Sequence, residues 1–435
     1  MELNGKVDGI INGKVIGNIP YGYKKTIVGI IPIDWEVKKF KDITDILKCG
    51  IASTPTYVKK GIPFLSSQNV KENKLILNKY NFVSEEFHKK LTKKDKPRKG
   101  DILYTRVGSN FGKATVVDID WEFSIYVSLT LIRMKQGYHN LYYSYLLNSD
   151  KYIYNARKTV FQGGGVQNLN VSEVEKFDMI VPPYNEQVKI ASILSKWDNA
   201  IELKEKLIAK KKEQKKGLMR KLLTGELRFP GFDGNWKEFT LGEIGNTYNG
   251  LSGKSAVDFG EGKPYIPYKS IFEDSKIDIS KVGFVRIDQD EKQNKAQKGD
   301  IFFTTSSETP DEVGMCSVLL DDIDELYLNS FCFGYRLNNF KILLPSFAQF
   351  YFRSNEFRRK VQVLAQGSTR FNISKNEVMK IMIKIPEIEE QEQISKVLSN
   401  SDNEIHLLKN QVRSLKEQKQ ALMQQLLTGK IRVKV

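Results

Sequence analysis

Side chains able to do chemistry are present in this 435-residue chain, but their spacing defeats most catalytic readings. The three histidines, His88, His139 and His406, are isolated, so neither a metal cluster nor a histidine-based triad has support. The stretch NGLSGKS at 249–255 ends like a phosphate-binding loop. That pattern needs glycine at 248, where backbone amides must close around phosphate, and Tyr248 stands there. No Gly-rich cofactor loop follows a strand, and no spaced acidic cluster points to a nuclease. Cys49, Cys316 and Cys332 are too few and too scattered for a disulfide framework or a zinc site, and are expected to be buried free thiols in a reducing compartment.

The stretch VPPY at 181–184 is similar to the N-P-P-Y motif of adenine methyltransferases. There a polar first residue bonds the target amino group, which Val181 cannot do, and the second copy of this stretch reads IPEI. Its prolines read as punctuation before a helix. The chain therefore looks like a binder. Its net charge is +16, and residues 1–230 hold 40 Lys+Arg against 24 Asp+Glu while residues 231–435 hold 28 of each. A basic excess confined to one half points to a polyanion, usually nucleic acid, or else to a solvated lysine-rich surface. No apolar run approaches the roughly 20 residues of a membrane helix. The first residues lack an apolar signal core, so a cytoplasmic protein without membrane contact is expected.

The elements that would position a binding surface come from a duplication. LMRKLLTGELR at 218–228 returns as LMQQLLTGKIR at 422–432, an offset of 204, and residues 181–228 match residues 385–432 at 21 of 48 positions. Upstream, Gln162-Gly163 lies over Gln366-Gly367 and Asn168 over Asn372. WEVKKFKDI resembles WKEFTLGEI, and KGDILYT resembles KGDIFFT, at slightly shorter offsets. The chain is a tandem repeat of about 200 residues with variable fronts and constrained backs.

The backs read as helices. After Pro183 and Pro386, neither Pro nor Gly occurs before Gly217 and Gly429. Ile405, Leu408, Val412, Leu415, Leu422 and Leu426 form a 3-4 alternation broken only by Lys419, a coiled-coil seam. The first copy has a weaker seam, Ile201, Ile208, Leu218 and Leu222, interrupted by Lys204, Lys211 and Lys215, with Leu203 and Leu207 as a shifted stripe. Two such helices, roughly 57 Å long at about 1.5 Å per residue, should pair. Thr224-Gly225 and Thr428-Gly429 should end them, with glycine as a left-handed cap. The Lys run at 210–216 reads as a solvated helix face, a partner contact or a DNA backbone contact. The fronts read as mixed α/β. Strands are expected in GDILYTRV, GDIFFTT and residues 125–135, helices over residues 140–158 and 344–362, and an extended lead-in over residues 1–34.

This ordered set resembles the DNA-specificity (S) subunit of type I restriction-modification systems, from about Tyr23 onward. The resemblance rests on IPIDWEVKKF, GIPFLSSQNV, KGDILYTRVGSNFGKATVV, GGGVQNLNVSEVEKFDMIVPPYNEQVKIASIL and LLTGELRF, then FPGFDGNWKEFTLGEI, KGDIFFTT, GSTRFNISKNEVMKIMIKIPEIEEQEQISKVL and LLTGKIR. Each long helix opens with P-x-x-x-E-Q, at Pro182…Glu186-Gln187 and Pro386…Glu390-Gln391. The resemblance implies an α+β chain of two tandem α/β target-recognition domains joined by two long helices. The helices would pair as an antiparallel coiled coil, duplicated about a pseudo-twofold. The expected parts are a lead-in (1–34), recognition domain 1 (35–181), a central spacer helix (182–228), recognition domain 2 (229–384) and a C-terminal spacer helix (385–435).

The resemblance also implies a non-catalytic, sequence-specific DNA-recognition subunit acting in phage defence. Each domain would read half of a bipartite site in double-stranded DNA. Two methyltransferase subunits would dock on the scaffold, and restriction/translocase subunits would join. S-adenosylmethionine, ATP and Mg would belong to those partners, with no cofactor or metal in this chain. The second loop, TTSSETPDEVGMCSV, departs from TRVGSNFGKATVV. It lacks the Gly-Ser and Lys and carries Glu308, Asp311 and Glu312, which fits two domains reading different half-sites.

Physics points the same way. DNA repeats in about 34–36 Å, so two modules on such helices could address groove segments a turn apart. Hydroxyl, amide and guanidinium groups on loops distinguish base edges, while Lys and Arg bind phosphate without regard to sequence. The base-reading candidates in the first domain are Ser66, Ser67, Gln68, Asn69, Arg106, Ser109, Asn110, Gln162, Gln167 and Asn168, with Lys113, Arg157 and Lys158 for phosphate. In the second domain they are Lys269, Ser270, Thr305, Ser306, Ser307, Gln366, Ser368, Thr369, Arg370 and Asn372, with Arg353, Arg358 and Arg359 for phosphate. Turn formation or capping is the competing role for each loop residue. Three other readings stay open: a specificity subunit with different enzymatic partners, an enzyme acting on DNA by itself, and a coiled-coil interaction protein.

Overall fold

In the computed structural model the described residues are 10–11, 14–15, 19–53, 55–160 and 168–435. The chain forms two compact units, one from Met1–Leu203 with Gln411–Val435 and one from Lys204–Asn410. The two sheets that shape each unit follow one plan. Unit 1 has an antiparallel four-stranded sheet in the order Ala114–Val116, Ile102–Thr105, Leu129–Met134, Thr44–Cys49. Unit 2 repeats it as Cys316–Val318, Ile301–Thr304, Cys332–Leu337, Gly245–Asn249. A mixed three-stranded sheet accompanies each: Asn81–Val83, Ile62–Leu65 and Ser124–Ile125 in unit 1, and Gly283–Val285, Phe259–Ile266 and Tyr327–Leu328 in unit 2.

The repeated Lys-Gly-Asp sets the start of each central strand. Gly100 and Gly299 turn with φ near +90°, where a side chain is disfavoured. The aspartate that follows closes the turn, Asp101 accepting from Arg98 N at 2.9 Å and Asp300 from Gln297 N at 2.8 Å. The same carboxylates take a fork from the next strand, Arg133 on Asp101 and Arg336 on Asp300.

Two expected elements are interrupted. Residues 125–135 form two strands, Ser124–Ile125 and Leu129–Met134, that belong to different sheets. The helices expected over 140–158 and 344–362 are pairs: Asn140–Leu147 with Asp150–Val160, and Pro345–Tyr351 with Asn355–Gln362. Ser354 ends the second break by capping Phe357 N. In the lead-in expected over 1–34, residues 1–9, 12–13 and 16–18 lie outside the described residues, and Tyr23–Thr26 pairs with Gly29–Pro32 as a hairpin. Cys316 and Cys332 are buried, and burial pushes the Cys316 thiol up to about 11. Cys49, expected to be buried, is exposed because it closes an outer strand of the sheet.

The long helices are Tyr184–Leu222 and Ile388–Leu426, 39 residues each. The central helix runs through Gly217, past the point where the sequence first admits a breaker. Within each unit the two run antiparallel. In unit 1, Asp198 meets Lys419, and Glu186 meets Arg432 beyond the end of the last helix. In unit 2, Lys211 meets Glu404 at 2.7 Å and Lys215 meets Asp402 at 2.5 Å, with Arg228 on Glu390.

Ile201, Leu222, Ile405, Leu408, Val412 and Leu426 are buried on the seam, and Ile208, Leu218, Leu415 and Leu422 are half-buried. The shifted stripe is not part of it, since Leu203 and Leu207 are exposed. Lys419, which breaks the seam in the sequence, is buried. Its ammonium lies 2.6 Å from Asp198, 3.7 Å from Glu72 and 5.4 Å from the Tyr145 ring centre. Lys215, its counterpart one repeat earlier, pairs with Asp402 and lies 5.2 Å from the Phe350 ring centre.

The repeated end motifs close each unit. Gly225 and Gly429 take φ of +73° and +71° and stop the helices. A Cβ at Gly429 would meet Pro32 at 2.5 Å, so the chain passes there with no room for a side chain. Three residues on, Arg228 forks onto Glu390 and lies over Trp236, while Arg432 bonds Glu186 and Asp34 and lies over Trp35. The adjacent glutamine of P-x-x-x-E-Q fixes the recognition fold. Gln187 accepts from His139 N and donates to Pro182 O, and Gln391 accepts from Leu344 N and donates to Pro386 O. Each glutamine thus holds the start of the first of the paired helices.

Candidate nucleic-acid interface

In unit 1 three separate stretches of the sequence converge on a polar rim. The Asn110 amide donates to Ser67 O at 3.1 Å, and Ser67 N donates to the Ser128 hydroxyl at 3.0 Å. Gly108 lies beside the Ser67 hydroxyl. Arg106 joins the third stretch, donating to Leu169 O, Val127 O and the Asn168 side-chain oxygen. Gln68, Ser109 and Asn168 are exposed on this rim, and Ser66, Ser67 and Asn110 are half-buried.

Two candidates lie deeper. Asn69 is fully buried, accepting from Ser66 N and donating to Ile76 O and Lys79 O. It organises the loop and presents nothing to a base. Arg106 is 5% exposed and three of its donors hold carbonyl or amide oxygens, so it ties the stretches together instead of reaching outward. Gln162 and Gln167 lie outside the described residues. Ser128, which anchors Ser67, carries no signal in the sequence.

Unit 2 builds the corresponding rim differently. Ser306–Ser307 pair with Phe371–Asn372 as a short antiparallel ladder, and Gln366 bridges Asn372. The result is a hairpin whose tip, Ser368, Thr369 and Arg370, is exposed together with Gln366 and Asn372. Gly367 takes φ of +129°, and a Cβ there would meet Arg370 O at 2.1 Å, so the tight tip requires glycine. Ser306 and Ser307 are largely buried by this ladder, and Thr305 O accepts from Ile373 N. The third stretch joins through the Tyr268 hydroxyl, which donates to Ser306 O at 2.7 Å. Next to it, Lys269 is exposed and Ser270 half-buried.

The phosphate candidates separate into two kinds. Arg157, Lys158 and Arg359 are exposed. Lys113 pairs with Glu72 at 3.1 Å. Arg353 and Arg358 are placed otherwise than the sequence predicts. Arg353 donates to the carbonyls of Cys316, Ile271, Phe272 and Asp274, and Arg358 to those of Gly314, Asp311 and Val313. Burial lowers the pKa of both guanidiniums. Arg358 serves as an internal strut for the loop that carries Glu308, Asp311 and Glu312, and Arg353 for the end of the helix Tyr268–Glu273, because buried carbonyls without partners need donors. Among the described residues no group of three or more His, Cys, Asp or Glu could hold a metal ion. No described helix is long and apolar enough to cross a membrane.

Two recognition folds of one plan, each closed by antiparallel helix segments of one design and each presenting a different polar rim, define a tandem DNA-specificity architecture. The chain belongs to the type I restriction modification DNA specificity domain family, which matches residues 32–212 and again 233–417. Among curated proteins it is similar to two from Methanocaldococcus jannaschii. It is 28% identical to a specificity subunit assigned to the type I restriction enzyme MjaX, over 95% of this chain and 97% of that protein. It is 26% identical to the type I restriction enzyme MjaVIII specificity subunit, over 93% and 94%. Its fold is shared with a chain from a type I restriction-modification system solved to describe complex assembly and conformational transition. That match has a TM-score of 0.59 at 16% identity, over 92% of this chain and 99% of that one. The S subunit from M. genitalium gives 0.53 at 19%, over 91% and 96%.

Proposed function

We propose that this specificity subunit reads a bipartite site in double-stranded DNA, one unit per half-site. It scaffolds two methyltransferase subunits, which restriction/translocase subunits join, in the cytoplasm. One observation carries the reading: the two units share sheet order, helix pairing and clasp, yet differ at the exposed rim. Unit 1 offers Gln68, Ser109 and Asn168, and unit 2 offers Ser368, Thr369 and Arg370 on a hairpin. Equal frames with unequal polar edges suit two different base sequences read at a set separation. Arginine at a hairpin tip suits the paired acceptors of guanine.

The chain itself is non-catalytic in this reading. Methyl transfer from S-adenosylmethionine, and ATP- and Mg-dependent cleavage, belong to the partners. Methylome sequencing of a host carrying this subunit and its methyltransferase tests the proposal. A bipartite motif with a fixed gap is expected, and a continuous or absent motif would overturn it. Purified chain that methylates or cleaves DNA alone would overturn the non-catalytic assignment. Adding one heptad to both long helices should change the gap and leave the half-sites as they were.

A further inference from the structure

The central helix carries a basic stripe that its seam does not use. Lys212, Lys216 and Arg220 follow one another at i+4, share a face and are all exposed. Arg220 and Thr224 form one wall of an open groove of about 520 Å³. The helix Asn355–Gln362 forms the other wall, through Asn355, Glu356, Arg359 and Lys360. The acid in this groove is already engaged, Glu356 by Lys360 at 3.3 Å. Thr224 donates to Arg220 O. Among the described residues, neither the Arg220 nor the Arg359 guanidinium makes an ion pair or hydrogen bond. Two unneutralised forks therefore face one groove.

The same place in unit 1 is bridged by hydrogen bonds. Asp150 stands where unit 2 has Asn355, Tyr154 where it has Arg359, and Gln420 and Gln424 where it has Lys216 and Arg220. Both glutamines donate to Asp150, at 3.2 and 3.4 Å. Asp to Asn, Tyr to Arg, and Gln to Lys or Arg each move unit 2 toward anion binding, while Lys151 to Glu356 runs the other way and is offset by Lys360, which replaces Asn155 and pairs with Glu356. The helix ends around it keep the same design in both units.

We propose that the groove between Arg220 and Arg359 holds a phosphodiester of the DNA backbone, a contact that only unit 2 makes. The proposal rests on the reading of the chain as a DNA-specificity subunit. Paired guanidiniums on two helices suit phosphate oxygens, which accept two parallel N–H bonds from each fork. The helix that carries Arg359 leads directly into the hairpin, whose first residue is Gln366. Gln366 lies only seven positions after Arg359, so a phosphate held there is close along the chain to the bases the hairpin would read. That continuity favours DNA over an acidic segment of a partner protein.

The test uses the full chain with its methyltransferase and a duplex containing the motif found by methylome sequencing. R220Q/R359Q should lower the slope of log affinity against log salt by about 1, for the one phosphate it no longer neutralises. Affinity at low salt should fall about 10- to 100-fold, and the methylated motif should be unchanged. In unit 1, D150N/Q424R should raise the slope by about 1. An unchanged slope in R220Q/R359Q would overturn the proposal, as would loss of methyltransferase assembly with duplex binding intact. Wild-type complex that binds no duplex at any salt would instead bring down the DNA reading itself. Both arginines are exposed, so the variants should fold; thermal unfolding checks this.

Discussion

Lys419 and Asp198 form an ion pair at 2.6 Å on the helix seam, at a position where the repeat calls for an apolar residue. The Tyr145 hydroxyl donates to the same carboxylate at 2.6 Å, and burial with this neighbour raises the tyrosine pKa well above its usual value. One repeat earlier, Lys215, Asp402 and Phe350 form the same arrangement with the hydroxyl missing. A polar residue at a seam position fixes register, because any slip would leave the charge buried and unpaired. The pair also ties the helices to the recognition fold, since Tyr145 belongs to the first helix of unit 1 after its central sheet.

K419A should therefore destabilise unit 1 by about 2–3 kcal/mol, the partial exposure of Asp198 keeping the figure below that of a fully buried pair. K419M/D198N should recover most of the loss. Denaturant unfolding of wild type, K419A and K419M/D198N measures it. Equal stability of K419A and wild type would show that the ammonium contributes only bulk.

The clasp makes a sharper case. Glu390 has a fully buried side chain whose two oxygens are both held by Arg228. R228A strands that carboxylate and should cost about 3 kcal/mol or more. R228M/E390Q should cost less than R228A alone. The readout is again denaturant unfolding, and a double variant no more stable than R228A would refute the account.

These features show what the sequence exposes and what it hides. The duplication, the absence of breakers after Pro183 and Pro386, and the Gly225 and Gly429 stops are local patterns, so the helices are legible from residues alone. Lys215 and Lys419 read as defects because their acids lie about 190 and 220 residues away in sequence. Arg353 and Arg358 look like surface charge on a helix, and only the folded chain reveals the carbonyls they hold. The rims are legible as polar stretches. Which side chain faces out depends on tertiary bonds such as Asn69 to Ile76 O, which no spacing rule encodes.

That distinction separates two variants in adjacent roles. R370A removes an exposed hairpin side chain and should relax recognition at one position of the second half-site, by about 1–3 kcal/mol, with the first half-site intact. N69A removes three buried hydrogen bonds and should lower stability by about 2 kcal/mol. Competition binding with single-base variants of the site, beside thermal unfolding, checks both. A change in the first half-site from R370A would contradict the assignment of one unit to each half.

Acidification should weaken unit 1 through its histidines. His88 is buried, with its ring nitrogens facing Ser124 at 2.8 Å and Glu122 at 3.2 Å, and Lys96 on the same glutamate. Burial lowers its pKa below the ordinary 6.5 despite Glu122. Burial also lowers that of His139, whose Nδ1 has no partner. In the unfolded chain both protonate near 6.5, so at lower pH the unfolded state binds more protons and gains. The stability these groups contribute is complete above about 6.5 and is lost as pH falls from there toward the folded values. The wild-type unfolding midpoint should therefore drop between about pH 7 and pH 5. H88Q/H139Q should flatten that slope whatever it does to the absolute midpoint. A double variant with the wild-type slope would show that the pH sensitivity does not come from these histidines.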